Sequence, residues 1–397
     1  MPKSEGARRR STSFLLIVAL AHAGGVIGYL PLLTLLLPVK VAAASGEARI
    51  GLLAVCVLSG AVAASLSNIL FGWLSDRSVA RGGERRPWIW VGLAGLALSY
   101  AILALASGAA SIVVGVVLFQ VAVNAVLAPL FAIMAEEVPD EQKGVAGGLL
   151  ALANPIASAF SAVIVGMAAL DEVSRFAAVP LAVMAFSLPL LLTRAKPAGE
   201  GRGETLRPHR RDLAIAWAAR LLVQVAGTVQ GVYLLYYFAS ITPVDTSQPL
   251  AGRVGQLLFI AYALPLPIAV LVGRLSDRSG RRKPFLFGAA VVAAVGLLGM
   301  AFAGTWTEGA AAFTTFAVGL AVFLALHSAF AMQILPDPRH RGRDLGLLNL
   351  TNTLPALAGP TLTWSLATPR DFSALMAILA ALTLGGGFLI LAARGRA

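Results

Sequence analysis

Twelve apolar runs of 20 to 28 residues follow one another along the chain, each closed by a short stretch of charged, Gly or Pro residues. They are Phe14 to Val39, Ile50 to Leu74, Trp88 to Ser107, Ser111 to Ala135, Gly144 to Ala168 and Val173 to Thr193, then Leu213 to Ser240, Val254 to Leu275, Phe285 to Gly304, Gly309 to Gln333, Leu345 to Ala367 and Phe372 to Ala393. Each can cross a hydrocarbon core of about 30 Å as a helix. Helices are the form predicted, because lipid cannot satisfy free backbone groups and the alternation of barrel strands is absent. The first run follows "KSEGARRR" but is too long for a signal peptide and lacks a small-residue cleavage site, so it reads as the first membrane helix.

Composition agrees with an integral membrane protein: 58% of residues are hydrophobic and 13% charged, with a mean hydropathy of +0.82. Lys and Arg outnumber Asp and Glu by 31 to 19. If the N-terminus is placed inside, 25 of the cations fall on the cytoplasmic side, 5 on the other, and Arg220 alone in the membrane interior. That asymmetry puts both termini in the cytoplasm of a plasma (inner) membrane protein, with anionic lipid headgroups as counterions and no nucleic-acid partner. Cys56 is the single cysteine, so an intramolecular disulfide is excluded.

The chain also repeats itself. Gly72, Asp76 and Arg77 recur as Gly273, Asp277 and Arg278, 201 residues on, Pro139-Asp140 recurs as Pro336-Asp337, and Pro155 as Pro355. Two six-helix halves, residues 1–193 and 213–397, are therefore expected, joined by a cytoplasmic linker over 194–212.

These residues carry a resemblance. The Gly-x-x-x-Asp-Arg-x-x-Gly-Arg-Arg/Lys pattern, found after the second and eighth runs, resembles the loop signature of the major facilitator superfamily. "SDRSGRRKPF", "GRDLGLLNLTNTLP" and Gly28-Tyr29 with Pro38 are more narrowly similar to the sucrose transporters and the glycoside-pentoside-hexuronide symporters. The resemblance implies an all-α membrane fold of twelve transmembrane helices in two pseudo-symmetric bundles, working by alternating access. It implies a conformational latch of Gly72, Asp76, Arg77, Gly273, Asp277, Arg278 and Arg282, with Asp76 against the start of helix 11 and Asp277 against the start of helix 5. Arg281 to Lys283 are open to a second reading, as topology and lipid anchors. Aligning the fourth helix puts Gln120 where sucrose transporters have a proton-coupling aspartate, and Phe131 where they have an arginine.

Polar residues deep in the runs are the candidates for a solute site. Arg220, Gln224, Thr228 and Gly231 share one face of the seventh run, and Arg220 either lines a cavity or snorkels to the surface. Gln120 and Asn124 stand one turn apart in the fourth run, with Asn349 and Asn352 in the eleventh. Amides suit a polyhydroxylated solute and equally suit bonds between helices. Tyr29 and Tyr233 offer stacking faces, and His22 and His327 are the proton-carrier candidates, with packing as the other reading of each.

No metal-spaced cluster, P-loop or dinucleotide fingerprint points to an enzyme or a cofactor. The expected activity is movement of a small sugar- or glycoside-like solute by a monomeric secondary transporter, facilitative or coupled to H+ or Na+. Proton-antiport efflux of a drug or metabolite is the second reading, and a non-transporting sensor or assembly protein the third.

Overall fold

The computed structural model describes residues 10–139, 142–167, 169–194, 210–242, 250–334 and 341–393. The elements are α1 (Thr12–Pro31), a π-helical turn (Leu32–Leu36), α2 (Leu37–Ser45), α3 (Arg49–Ala80), α4 (Arg86–Leu105), α5 (Ala109–Glu137), α6 (Lys143–Leu150), α7 (Ala153–Gly166) and α8 (Glu172–Leu191). They continue with α9 (Arg210–Ile241), α10 (Leu250–Ala263), α11 (Pro265–Ser279), α12 (Arg282–Phe302), α13 (Trp306–Ile334), α14 (Arg341–Leu366) and α15 (Ser373–Ala392). Ten spans among the described residues are long and apolar enough to cross a membrane, and the first, Thr12–Ala80, contains the first two of the predicted runs. With α14 on the eleventh run, every run is helical.

Contacts divide the chain into two compact units, Met1–Ala44 with Ser59–Arg202, and Ser45–Leu58 with Gly203–Ala397. The expected linker falls largely on 195–209, outside the described residues.

Hydropathy misplaced several helix ends, for identifiable reasons. Two runs expected as single helices are each broken. α6 gives way to α7 around Ala151 and Leu152, just before Pro155, and α10 to α11 at Leu264, just before Pro265. Proline donates no hydrogen bond, and its ring crowds the preceding turn. Pro31 likewise precedes the π-helical turn. α3 runs past Leu74 to Ala80 and α11 past Leu275 to Ser279, so Asp76 and Arg77 stand on a helix rather than in a loop. Hydropathy marks where the apolar solvent ends, whereas the hydrogen-bond ladder continues beyond it. Positive-φ glycines then close each turn, Gly82 at +80° and Gly280 at +65°. Lys40, expected beyond the end of the first span, lies inside α2, buried against Ala104 O and Glu172.

Each unit packs two of its helices at backbone distance. A Cβ on Gly92 would lie 2.6 Å from the Val126 amide nitrogen, and one on Gly296 only 2.3 Å from that of Phe316. Small residues let helix axes approach where lipid provides no hydrophobic drive. The duplication shows in side-chain detail as well. Arg86 at the start of α4 donates to the Leu190 carbonyl at the end of α8, and Lys283 at the start of α12 donates to the Ala393 carbonyl just past α15. At the edge of the first unit Asp171 caps α8, and hydrogen bonds from the Ser174 hydroxyl and amide hold its carboxyl below the usual carboxylate range.

Gly296→Ala should lower the unfolding midpoint in detergent, at a cost of roughly 1–3 kcal/mol from overpacking. Gly288→Ala, where a Cβ meets open space, should leave it unchanged or raise it slightly. Equal midpoints would show that the α12–α13 crossing does not need its glycine.

Candidate functional site

In the first unit the polar groups of the spans are largely spent on one another. Asn68 of α3 donates through Nδ2 to Asn124 Oδ1 at 3.1 Å. Asn124 in turn donates to the Gln120 carbonyl at 2.9 Å, and Ser67 approaches the same oxygen. The Asn124 amide and the Gln120 backbone carbonyl therefore join α3 to α5, and Asn68 is a partner that the sequence reading missed. It stands near the polar end of its run, among serines, where nothing marked it out. Gln120 packs against Gly60. His22 and Phe131 meet edge-on at 5.6 Å between ring centroids, and His22 Nδ1 is buried without a hydrogen-bond partner. Tyr29 is half-buried on α1.

In the second unit α9 carries the main set. Arg220 and Gln224 are half-buried, one turn apart. His327 on α13 is fully buried, with Nε2 2.8 Å from the Ala216 carbonyl one turn below Arg220, and its ring stacks on Phe323. Further along α9, Gln230 donates to Met376 Sδ at 3.0 Å while its Oε1 has no partner. The Tyr233 hydroxyl is also buried and unpaired. Asn349 and Asn352 lie on helical backbone in α14, but their side chains fall outside the described residues.

The densest polar cluster sits at the other end of the first unit's helices, around the predicted latch. Arg85 grips both oxygens of Glu136 at 2.5 and 2.9 Å, Asp76 Oδ1 at 2.6 Å and Ser75 Oγ at 2.8 Å. Beside it Glu137, with 5% of its side chain exposed, lies between Arg10 at 2.6 Å and Arg86 at 3.0 Å. Gln142 and Arg10 exchange two further bonds, side chain to backbone. Asp76 thus pairs with an arginine of its own turn, Arg85. Arg77 places its guanidinium over the Trp73 ring, because on a helix it points about 100° away from its neighbour. Neither Gly72 nor Gly273 is within 4 Å of anything that a Cβ would meet among the described residues. In the second unit Arg278 is exposed and Arg282 half-buried, while the Asp277 side chain lies outside the described residues. Two adjacent acids closing an apolar run, Glu136-Glu137, were the signal available in the sequence for this cluster. Among the described residues no group of His, Cys, Asp and Glu could hold a metal ion.

The family model of the Major Facilitator Superfamily matches residues 14–251 and 216–396. An uncharacterized MFS-type transporter of Mycobacterium tuberculosis is 28% identical over 246 residues, 59% of this chain and 54% of that protein. The chain thus spans about half the length of the curated relatives that it matches. Among solved structures, a peptide transporter has a TM-score of 0.76 at 12% identity, covering 97% of this chain and 96% of its own. A D-xylose-proton symporter has 0.70 at 16% identity, covering 96% and 97%. A bacterial homolog of the human lysosomal transporter Spinster has 0.70 at 13%, covering 98% and 96%. The relatives are transporters rather than enzymes, and the structural likenesses establish the fold.

A double-mutant cycle tests the Arg85 grip. Arg85→Ala and Glu136→Ala should each lower the unfolding midpoint, with a coupling energy of about 1 kcal/mol, since Glu136 remains partly in water. Arg77→Ala should cost less than Arg85→Ala. A coupling near zero would reduce the pair to an incidental surface contact.

Proposed function

We propose that this chain, which belongs to the major facilitator superfamily, is a secondary transporter that moves a small polar organic solute of the sugar or glycoside kind by alternating access. The observation that carries the reading is the half-buried Arg220–Gln224 pair within α9, in a span otherwise built to face apolar surroundings. An ionisable side chain within a span is costly and marks a solute or ion path. The five donors of the Arg220 guanidinium match the hydroxyl and carboxylate oxygens of sugars and sugar acids. The fold shared with a xylose-proton symporter is compatible with such a solute.

Under this reading the two histidines separate. His327 fastens α13 to α9 through the Ala216 carbonyl, which occupies it structurally. His22, with Nδ1 buried and unpartnered, remains the proton carrier if flux is coupled. Transport is otherwise facilitative, since no carboxylate stands in the middle of a span. We place the protein in the plasma membrane as a monomer with both termini cytoplasmic, from the asymmetry of Lys and Arg.

Proteoliposome uptake of radiolabelled pentoses, hexoses, glycosides and uronates should identify a saturable solute. Arg220→Gln should weaken its half-saturation by about tenfold or more, the cost of one charged hydrogen bond. An imposed pH gradient should accelerate wild-type uptake but not His22→Gln uptake; if both respond alike, His22 carries no proton. Wild-type affinity in Arg220→Gln would remove Arg220 from the site.

A further inference from the structure

The two halves differ at one matched place. In the first unit, the Phe71 and Trp88 rings meet at 6.0 Å between α3 and α4, and the Trp88 indole is fixed by Ser78 Oγ. The repeat offsets of 201 and 197 put Val272 and Phe285 at the corresponding positions. With Val272 in place of a phenylalanine, the second unit has a cavity of about 370 Å³ between α11, α12 and α13, lined by Ile268, Val272, Pro284, Phe285, Gly288 and Val318 among others. Its lining is wholly apolar, and a Cβ on Gly288 would meet nothing within 4 Å.

Charge differs at the same place. The first unit's cations are matched by Glu136 and Glu137. The 197-residue offset that aligns the two Pro-Asp pairs puts Gln333 and Ile334 at those positions in the second half. There Arg274, Arg278, Arg281, Arg282 and Lys283 face a single acid in their own segment, Asp277. Arg278 and Arg281 are exposed, and among the described residues neither pairs with a carboxylate. Ile268, Val272 and Ser279 share one face of α11 by helical spacing, and Arg281 donates its backbone amide to Ser279 Oγ at 3.2 Å. Arg281 therefore stands at the polar mouth of the groove, three residues before the lining Pro284.

We propose that this groove binds one anionic glycerophospholipid, with an acyl chain along α12 and the headgroup phosphate held by Arg281 and Arg278. The apolar lining accepts a hydrocarbon chain and offers nothing to a polar solute. The acids that neutralise Arg85 and Arg86 in the first half have no counterpart beside Arg282 and Lys283, and position 281 carries an arginine where the first half has Glu84, so the lipid phosphate supplies the missing negative charge. Where the first unit closes on itself with two aromatic rings and two glutamates, the second closes on a lipid.

The purified full-length protein, delipidated in detergent, is titrated with dioleoyl phosphatidylglycerol, with dioleoyl phosphatidylcholine and with inorganic phosphate, reading bound lipid by native mass spectrometry and the unfolding midpoint. Phosphatidylglycerol should bind and raise the midpoint, and the choline lipid with identical chains should bind at least about tenfold more weakly, given roughly 1 kcal/mol per engaged cation. Arg281→Gln should cost about fivefold in phosphatidylglycerol affinity, while Arg370→Gln, removing an exposed charge elsewhere, should cost nothing. Gly288→Leu fills the groove and should abolish retention; Val272→Phe, copying the first half, is the second groove-filling variant should the first fold poorly. Equal binding of the two lipids, undiminished binding in the folded groove-filled variant, or a shift from phosphate alone matching that of the lipid would each overturn the proposal.

Discussion

A carboxylate removed from water must be paired, and Glu137 meets that requirement with an arginine on each side. The first unit's helix ends depend on this arrangement, because its members come from the start of α1, the start of α4 and the end of α5, and Arg86 extends it to Leu190 at the end of α8 and Thr193 just beyond. Arg85 and Glu136 carry the same end across to α3. Removing Glu137 would leave the Arg86 charge buried and uncompensated, which costs more than the pair itself contributes. Apolar packing within lipid has no such exclusiveness, since a leucine is as content against an acyl chain as against another leucine. Register among these helices is therefore set at their polar ends and at the few glycines where backbones touch.

The second half retains the helix-tying cation, Lys283 on the Ala393 carbonyl, but not the acids. A carbonyl satisfies a cation's geometry without neutralising it. Positive charge is consequently left over at the α11–α12 turn, where the helix macrodipole of α12 adds to it rather than opposing it. Divergence after duplication has thus altered the electrostatic closure of one half while preserving its hydrogen-bond frame.

How much of this could be read from the sequence follows from which forces are local. The twelve spans, the duplication and the special standing of Arg220 depend on composition along a single helix, and periodicity reports that directly. The helix breaks at Pro155 and Pro265 were visible as prolines, but hydropathy weighs solvent preference and not backbone donors, so the spans read as continuous. Which arginine of the turn meets Asp76 was not legible, because it depends on how far α3 continues and where the α3–α4 turn returns the chain. Asn68 was hidden for the same reason: its importance lies in facing Asn124 on another helix, and no spacing within α3 reveals that.

The polar groups within the spans carry a further consequence. In the first unit, the amides of Asn68 and Asn124 and the Gln120 backbone carbonyl satisfy one another, while His22 Nδ1, Arg175 Nε and three serine hydroxyls, Ser158, Ser161 and Ser187, are without partners. A serine hydroxyl is small and can turn to a carbonyl of its own helix at little cost. In the second unit the unpartnered groups include larger ones: the Tyr233 hydroxyl and Gln230 Oε1 on α9, and His327 Nδ1 on α13, whose Nε2 faces the Ala216 carbonyl. An unpaired buried donor or acceptor costs about 1–3 kcal/mol, and a rigid phenol or amide has no local carbonyl to fall back on. Such a cost is tolerable in a protein that changes conformation if water or a solute meets these groups in another state of the cycle. On that ground α9, with the Gln230 side-chain oxygen and the Tyr233 hydroxyl, holds unspent hydrogen-bonding capacity of the kind that solute recognition requires.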